Sequence, residues 1–106
     1  MIGDNDRDML CAIRELCRCE GGYTLVQDGR VVDTLPLPIC GLISDEEPAA
    51  IKERIADMTL EAHRMGVPEG FEPFITMSFL ALPVIPEIRI TDKGVFDSLH
   101  YRFIKN

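Results

Sequence analysis

Apolar and polar residues alternate along the chain in patterns that predict a short series of helices and strands. Over residues 5–20, Met9, Leu10, Ile13, Leu16 and Cys17 recur at three- and four-residue spacing, which puts them on one face of a helix. Asn5 or Asp6 can cap its start, Asp8 suits the positive end of the helix dipole, and Gly21-Gly22 stops it. Tyr23–Val26 and Val31–Leu35 then flank Gln27-Asp28-Gly29-Arg30. Asp-Gly is the strongest two-residue hairpin signal, because a type I′ turn needs positive φ at both central positions. Pairing across that turn sets Val26 against Val31 and Leu25 against Val32. The run Pro36–Ile43 is apolar, yet its prolines remove ladder donors and exclude a regular central strand.

Ser44-Asp45-Glu46-Glu47 has the form of a capping box, opening a second helix. Its buried stripe is Ile51, Ile55, Met58, Ala62 and Met65, and Gly66 followed by Pro68 closes it. Such a stripe is a core face and not a cofactor box. Phe74–Leu82 is too short for periodicity to decide; its aromatic and β-branched residues predict a strand. Glu87–Thr91 alternates as a strand, Asp92-Lys93-Gly94 reads as a turn, and Leu99–Ile104 as a last strand. The expected fold is α+β: two amphipathic helices packed on a small, mainly antiparallel sheet, a two-layer sandwich.

With 106 residues, the chain is expected to form a single domain over 1–106. Eleven basic against 18 acidic side chains leave a net charge of −7, which argues against nucleic acid or an anionic membrane as partner. The longest apolar stretch, Phe74–Ile90, is broken by Pro83, Pro86 and Glu87 and falls short of a membrane span. The acidic N-terminus is unlike a secretory signal, so a cytoplasmic protein is expected. Cys11, Cys17, Cys19 and Cys40 are expected as reduced structural thiols, since Cys17-Arg-Cys19 is too tightly spaced for a zinc knuckle.

The search for chemistry predicts no catalytic residue and no metal ligand. His-x-His, His-Glu-x-x-His, Cys-x-x-Cys and phosphate-loop patterns are missing from the sequence. Ser44, Ser78, Ser98 and Thr76 lack the context of a nucleophile elbow. Glu46-Glu47 is explained by a helix start, and His63 by the negative end of the second helix. His100 is expected on the solvated face of the last strand.

Three blocks of text carry a resemblance. Ile2-Gly3-Asp4-Asn5-Asp6-Arg7-Asp8-Met9 with Gly21-Gly22, then Leu35–Ser44, then Pro73–Glu87 with Thr91, Gly94 and Asp97 resemble, in order, the C-terminal domain of bacterial adenine deaminases. The resemblance implies the distal part of that domain in an amidohydrolase-superfamily enzyme that converts adenine to hypoxanthine and ammonia. It implies a TIM barrel loaded with iron or manganese, whose metal-bound hydroxide attacks C6 of the purine. The barrel's histidine and aspartate ligands have no counterpart here, so no catalytic residue carries over and no cofactor is expected in this chain. The implied partners are that barrel and, through it, adenine.

In the family a strand segment precedes the Gly-Asp-Asn-Asp motif, where this sequence has Met1. An unpaired sheet edge is therefore expected, and with it a homo-oligomer. Pro36, Pro38, Pro83 and Pro86 are read as fixing an irregular core crossing and keeping strand edges from pairing. The other reading places Ser44, Thr76 and Ser78 on a surface facing the barrel's substrate mouth. A free-standing interaction or purine-binding module derived from that domain is the alternative function, and an inactive gene remnant a third.

Overall fold

In the computed structural model, which describes residues 1–85 and 87–104, helix α1 (Asp6–Arg18) starts where the Asn5 side chain accepts a hydrogen bond from the Asp8 amide at 2.9 Å. The cap is the expected one; the packed face is not. Leu10, Ile13 and Cys17 are exposed, whereas Asp8, Met9, Cys11, Ala12, Glu15 and Leu16 are half-buried. The helix is turned from its purely apolar orientation because Asp8 and Glu15 find hydrogen-bond donors on the hairpin it packs against. Carboxylates can face a packing surface where their oxygens are satisfied.

That hairpin joins β1 (Gly22–Gln27) to β2 (Arg30–Pro36), antiparallel, with Gln27 opposite Arg30. Asp28 and Gly29 both have positive φ, 55° and 73°, as the Asp-Gly signal requires. Val26 pairs with Val31 as expected. Leu25, however, faces Asp33, because a bulge between these pairs leaves Val32 unpaired. The extra residue shifts the rest of the register by one and brings Thr24 opposite Thr34.

Pro36, expected outside a regular strand, is the last residue of β2, and the segment that follows it through Pro38 is irregular. The Leu37 amide donates to the Gly21 carbonyl at 3.0 Å, and Leu37 is buried beside Leu35 in sequence. Beyond Pro38 the chain reverses in a tight loop in which Ile39 and Ile43 exchange backbone hydrogen bonds, each 3.1 Å. Helix α2 (Pro48–Arg64) then packs on β2. It starts three residues later than the capping box predicts, with the N-cap at Glu47 and not Ser44. Pro48 disfavours helical geometry at Glu47 (φ −59°, ψ 134°), so Glu47 becomes the N-cap and Pro48 the first helical residue. Ser44 Oγ instead accepts from the Glu46 amide at 3.0 Å. The predicted stripe faces inward, with Met58 1% and Ala62 2% exposed. Together with Leu35 at 1%, they form the core of the first of two compact units, Met1–Pro73.

The second unit, Phe74–Asn106, overturns one expectation. The predicted strand over Phe74–Leu82 is a helix, α3 (Pro73–Ala81). Pro73 is pre-organised for a first helical turn, and no glycine or proline interrupts the next nine residues. Only Ile75 and Thr76 are β-branched, and the Ser78 hydroxyl donates back to the Ile75 carbonyl at 2.7 Å. Strands β3 (Ile88–Thr91), β4 (Gly94–Asp97) and β5 (Arg102–Phe103) form an antiparallel sheet in that order. The expected turn is two residues, Asp92-Lys93, with Gly94 already paired to Thr91. The last strand is shorter than predicted: Leu99–Tyr101 form a turn, and Phe96 stacks edge-to-face on Tyr101 and Phe103 with centroids 5.3 and 5.2 Å apart. Pro86, one of the four prolines expected to punctuate strand edges, lies outside the described residues. The fold is thus α+β, with two helices on an antiparallel hairpin in one unit and a third helix and a three-stranded sheet in the other.

Candidate functional site

The acidic N-terminal motif has a structural use that its sequence does not announce. Asp8, in the first turn of α1, accepts hydrogen bonds from the backbone amides of Asp28 (3.1 Å) and Gly29, the two residues of the hairpin turn. Asn5 completes the arrangement: its Nδ2 donates to Asp8 Oδ2 at 3.2 Å while its Oδ1 caps the helix. Cys11, one turn on, lies 3.7 Å from the Gly29 carbonyl. The Asn5 hydrogen bond, the two turn amides and nearby Arg7 hold the Asp8 carboxyl below its usual range, against partial desolvation. The carboxylate pins the hairpin tip to the helix start.

A second polar group ties the other end. Glu15 accepts from Arg18 (2.7 and 2.8 Å) and from the Thr34 hydroxyl (3.0 Å). Thr34 gives its single hydroxyl proton to a carboxylate, so in its 2.9 Å contact with Thr24 it accepts; the Thr24 hydroxyl shares its proton between Thr34 and the Asp33 carbonyl at 3.2 Å. Arg18, then Thr34, lower the Glu15 carboxyl to about 2, with desolvation opposing. Across β2, Arg54 of α2 reaches Asp33 (2.7 Å) and the Thr34 carbonyl (2.9 Å). Side chains from α1, β1, β2 and α2 thus meet around Thr34.

The residues singled out by sequence do not converge on a catalytic constellation. His63 sits in the last turn of α2 with Nδ1 2.9 Å from the Val67 carbonyl; a carbonyl only accepts, so Nδ1 carries the proton. His100 is in the turn after β4 and not on a strand, with Nδ1 2.7 Å from Asp97 Oδ2. Asp97 also accepts from the amides of Leu99 and His100, and the contacts with His100 and Leu99 lower its carboxyl. Ser98 donates to the Glu87 carbonyl at 2.8 Å. Ser44 belongs to the first unit, and Thr76 and Ser78 to the second. Glu46 and Glu47 lie on the exposed approach to α2, and Glu47 makes no side-chain capping bond.

The four cysteines are free: Cys11 and Cys19 are half-buried against backbone carbonyls, Cys17 and Cys40 exposed. Among the described residues no three His, Cys, Asp or Glu side chains come together to hold a metal ion; the manganese or iron that the resemblance implies is implied for the barrel and not for this chain. Nor is any described helix long and apolar enough to cross a membrane.

Two shallow depressions mark the first unit. One, of about 320 Å³, is lined by Val32, Asp33, Asp57, Leu60, Glu61 and Arg64; its charges are largely internal pairs, Glu61 with Arg64 (2.9 Å) and Asp33 with Arg54. The other, of about 300 Å³, lies against Thr59, His63, Gly70, Phe71 and Glu72. The arrangement around Thr34 and Asp8 is a scaffold of satisfied groups, suited to holding a shape.

The family profile described as "Adenine deaminase C-terminal domain" matches residues 1–101. The chain is 53% identical over 104 residues to an adenine deaminase of Desulfitobacterium hafniense, and 47% identical over 105 residues to one of Clostridium acetobutylicum, each match taking in 98% of this chain. An adenine deaminase of Bacillus subtilis is 38% identical over 103 residues, 97% of the chain. In all three the match spans 18% of the relative's length. No solved structure matches the chain. With the family profile covering all but its last residues, the chain belongs to the adenine deaminase C-terminal domain family.

Proposed function

We propose that the chain works as the C-terminal domain of an adenine deaminase, which hydrolyses adenine to hypoxanthine and ammonia in purine salvage. The observation that carries this reading is the match of residues 1–101 to one domain of relatives that bear that name. Adenine and the manganese or iron belong to the catalytic barrel of the enzyme, this chain's covalent partner. Residues of the first unit brace an accessory scaffold: Asp8 fixes the hairpin tip to α1, and Glu15, Thr34 and Arg54 fix the hairpin between the two helices. Both compact units act as parts of one domain, in a cytoplasmic enzyme that assembles as a homo-oligomer. Among the described residues the hairpin sheet holds two strands, each with one side not paired to a further strand, and this supports the homo-oligomer.

An antibody against this segment tests the reading in extracts of the source cell. The expected result is a band several times heavier than 11.9 kDa, whose depletion removes the conversion of adenine to hypoxanthine. A band near 11.9 kDa with the activity left in the supernatant would refute it and favour a free-standing interaction or purine-binding module.

A further inference from the structure

The loop 39–43 is apolar where a loop should be polar. Ile39, Leu42 and Ile43 are 46%, 69% and 59% exposed, and Cys40 between them is exposed as well. It lies near the end of an uncharged run of eleven residues, Thr34–Ser44, in a chain with 27% charged residues. Flexibility does not account for this. Ile39 and Ile43 are locked by two backbone hydrogen bonds and Leu42 N donates to the Ile39 carbonyl. Pro36 and Pro38 fix φ on the way in.

Underneath, Gly41 packs on Gly21 so closely that a Cβ added to Gly21 would lie 2.5 Å from the Gly41 Cα. Cys40 is held at φ 57°, unusual for a residue with a side chain. A pre-formed, strained, apolar tip carries the features of a docking element: little entropy remains to be lost on binding, and several large aliphatic side chains stand ready for burial.

We propose that this loop is a knob that inserts into the remainder of the adenine deaminase polypeptide, in an apolar socket rimmed by basic side chains. The proposal rests on the domain assignment above. The matched segment is a C-terminal domain spanning 18% of its relatives, so most of the relatives' polypeptide lies outside it and has to meet it somewhere. The rim follows from charge: Asp45-Glu46-Glu47 follow the knob directly, on a chain of net charge −7. The same carboxylates oppose an anionic bilayer as the occupant.

Cys40 reports on the knob from within. The full-length native enzyme and the 106-residue chain are treated with a maleimide under native conditions, and the label is located by mass spectrometry of each intact and digested polypeptide. In the 106-residue chain Cys40 is expected to label freely. In the full-length enzyme it is expected to label at least ~10-fold more slowly, and Leu42→Asp is expected to restore fast labelling. Leu42→Asp is expected to shift the stability of the 106-residue chain by no more than about 0.5 kcal/mol, since Leu42 is exposed there.

A heavy polypeptide with Cys40 labelling freely overturns the knob while leaving the domain assignment intact. A native polypeptide of only 11.9 kDa overturns both. Cys40 already protected in the 106-residue chain overturns the proposed occupant, and a concentration dependence of that protection identifies a second copy instead.

Discussion

Gly21→Ala is the sharpest perturbation the fold offers, because two separable costs meet at one position. Gly21 has φ +119°, a region that L-residues rarely enter, and forcing a side chain there costs on the order of 1–3 kcal/mol. An added Cβ would also lie 2.5 Å from the Gly41 Cα, a backbone atom that cannot rotate away. Relieving that overlap moves the crossing where the Gly21 carbonyl accepts from Leu37, at a further cost of ~1–3 kcal/mol. Gly66→Ala isolates the first cost, since Gly66 has a similar φ of +112° and nothing within 4 Å of an added Cβ. Urea unfolding of both variants, followed by far-UV circular dichroism, is expected to place Gly21→Ala ~1–3 kcal/mol below Gly66→Ala. Equal stabilities within about 0.5 kcal/mol would refute the close approach, and with it the rigid footing of the 39–43 loop.

Two further outcomes test the polar scaffold. Asn5→Ala should destabilise the chain by ~0.5–2 kcal/mol in the same urea assay through loss of the α1 cap, whereas Ser44→Ala should stay within about 0.5 kcal/mol because Ser44 does not cap α2. The Glu15 carboxyl titrates near 2 in the folded chain against 4.5 when unperturbed, so its contribution is complete above pH 4.5 and is lost as the pH falls through about 2. Urea midpoints measured down that range should fall, and Glu15→Gln should flatten the fall; an unchanged acid slope in the variant would remove Glu15 from the account.

Local rules made the hairpin and both amphipathic helices legible, because each rests on residues close in sequence. Asp28-Gly29 adopts the predicted turn and the stripe from Ile51 to Met65 faces inward. Where the reading failed, a neighbouring or distant residue outvoted the pattern. The capping box at Ser44 reads correctly as letters, yet Pro48 dictates the backbone of Glu47 and moves the helix start. The bulge at Val32 left no mark beyond an ordinary run of β-formers, and it decides that Thr24 and not Tyr23 faces Thr34. In α3, aromatic residues favoured a strand, while Pro73 at the first position and the uninterrupted run behind it favoured the helix that forms.

The functional reading divides along the same line. The strings beginning Gly3-Asp4-Asn5-Asp6 and Leu35-Pro36-Leu37-Pro38 were recognisable as a family's text, but spacing alone could not say what they do. Asp8 acts on amides 20 and 21 positions away, a pairing without any local periodicity. It explains why a carboxylate occupies the packed face of α1, where an apolar residue fits the helical pattern better. The Leu-Pro-Leu-Pro string likewise reads as core, and half of it is: Leu35 and Leu37 are buried, while the loop that follows turns its aliphatic side chains outward. A folded chain keeps large apolar groups on a rigid, uncharged tip only at a cost in solubility, and burial against a partner removes that cost. The acidic motif builds the body and the proline string presents the tip, so the two signatures divide construction from contact.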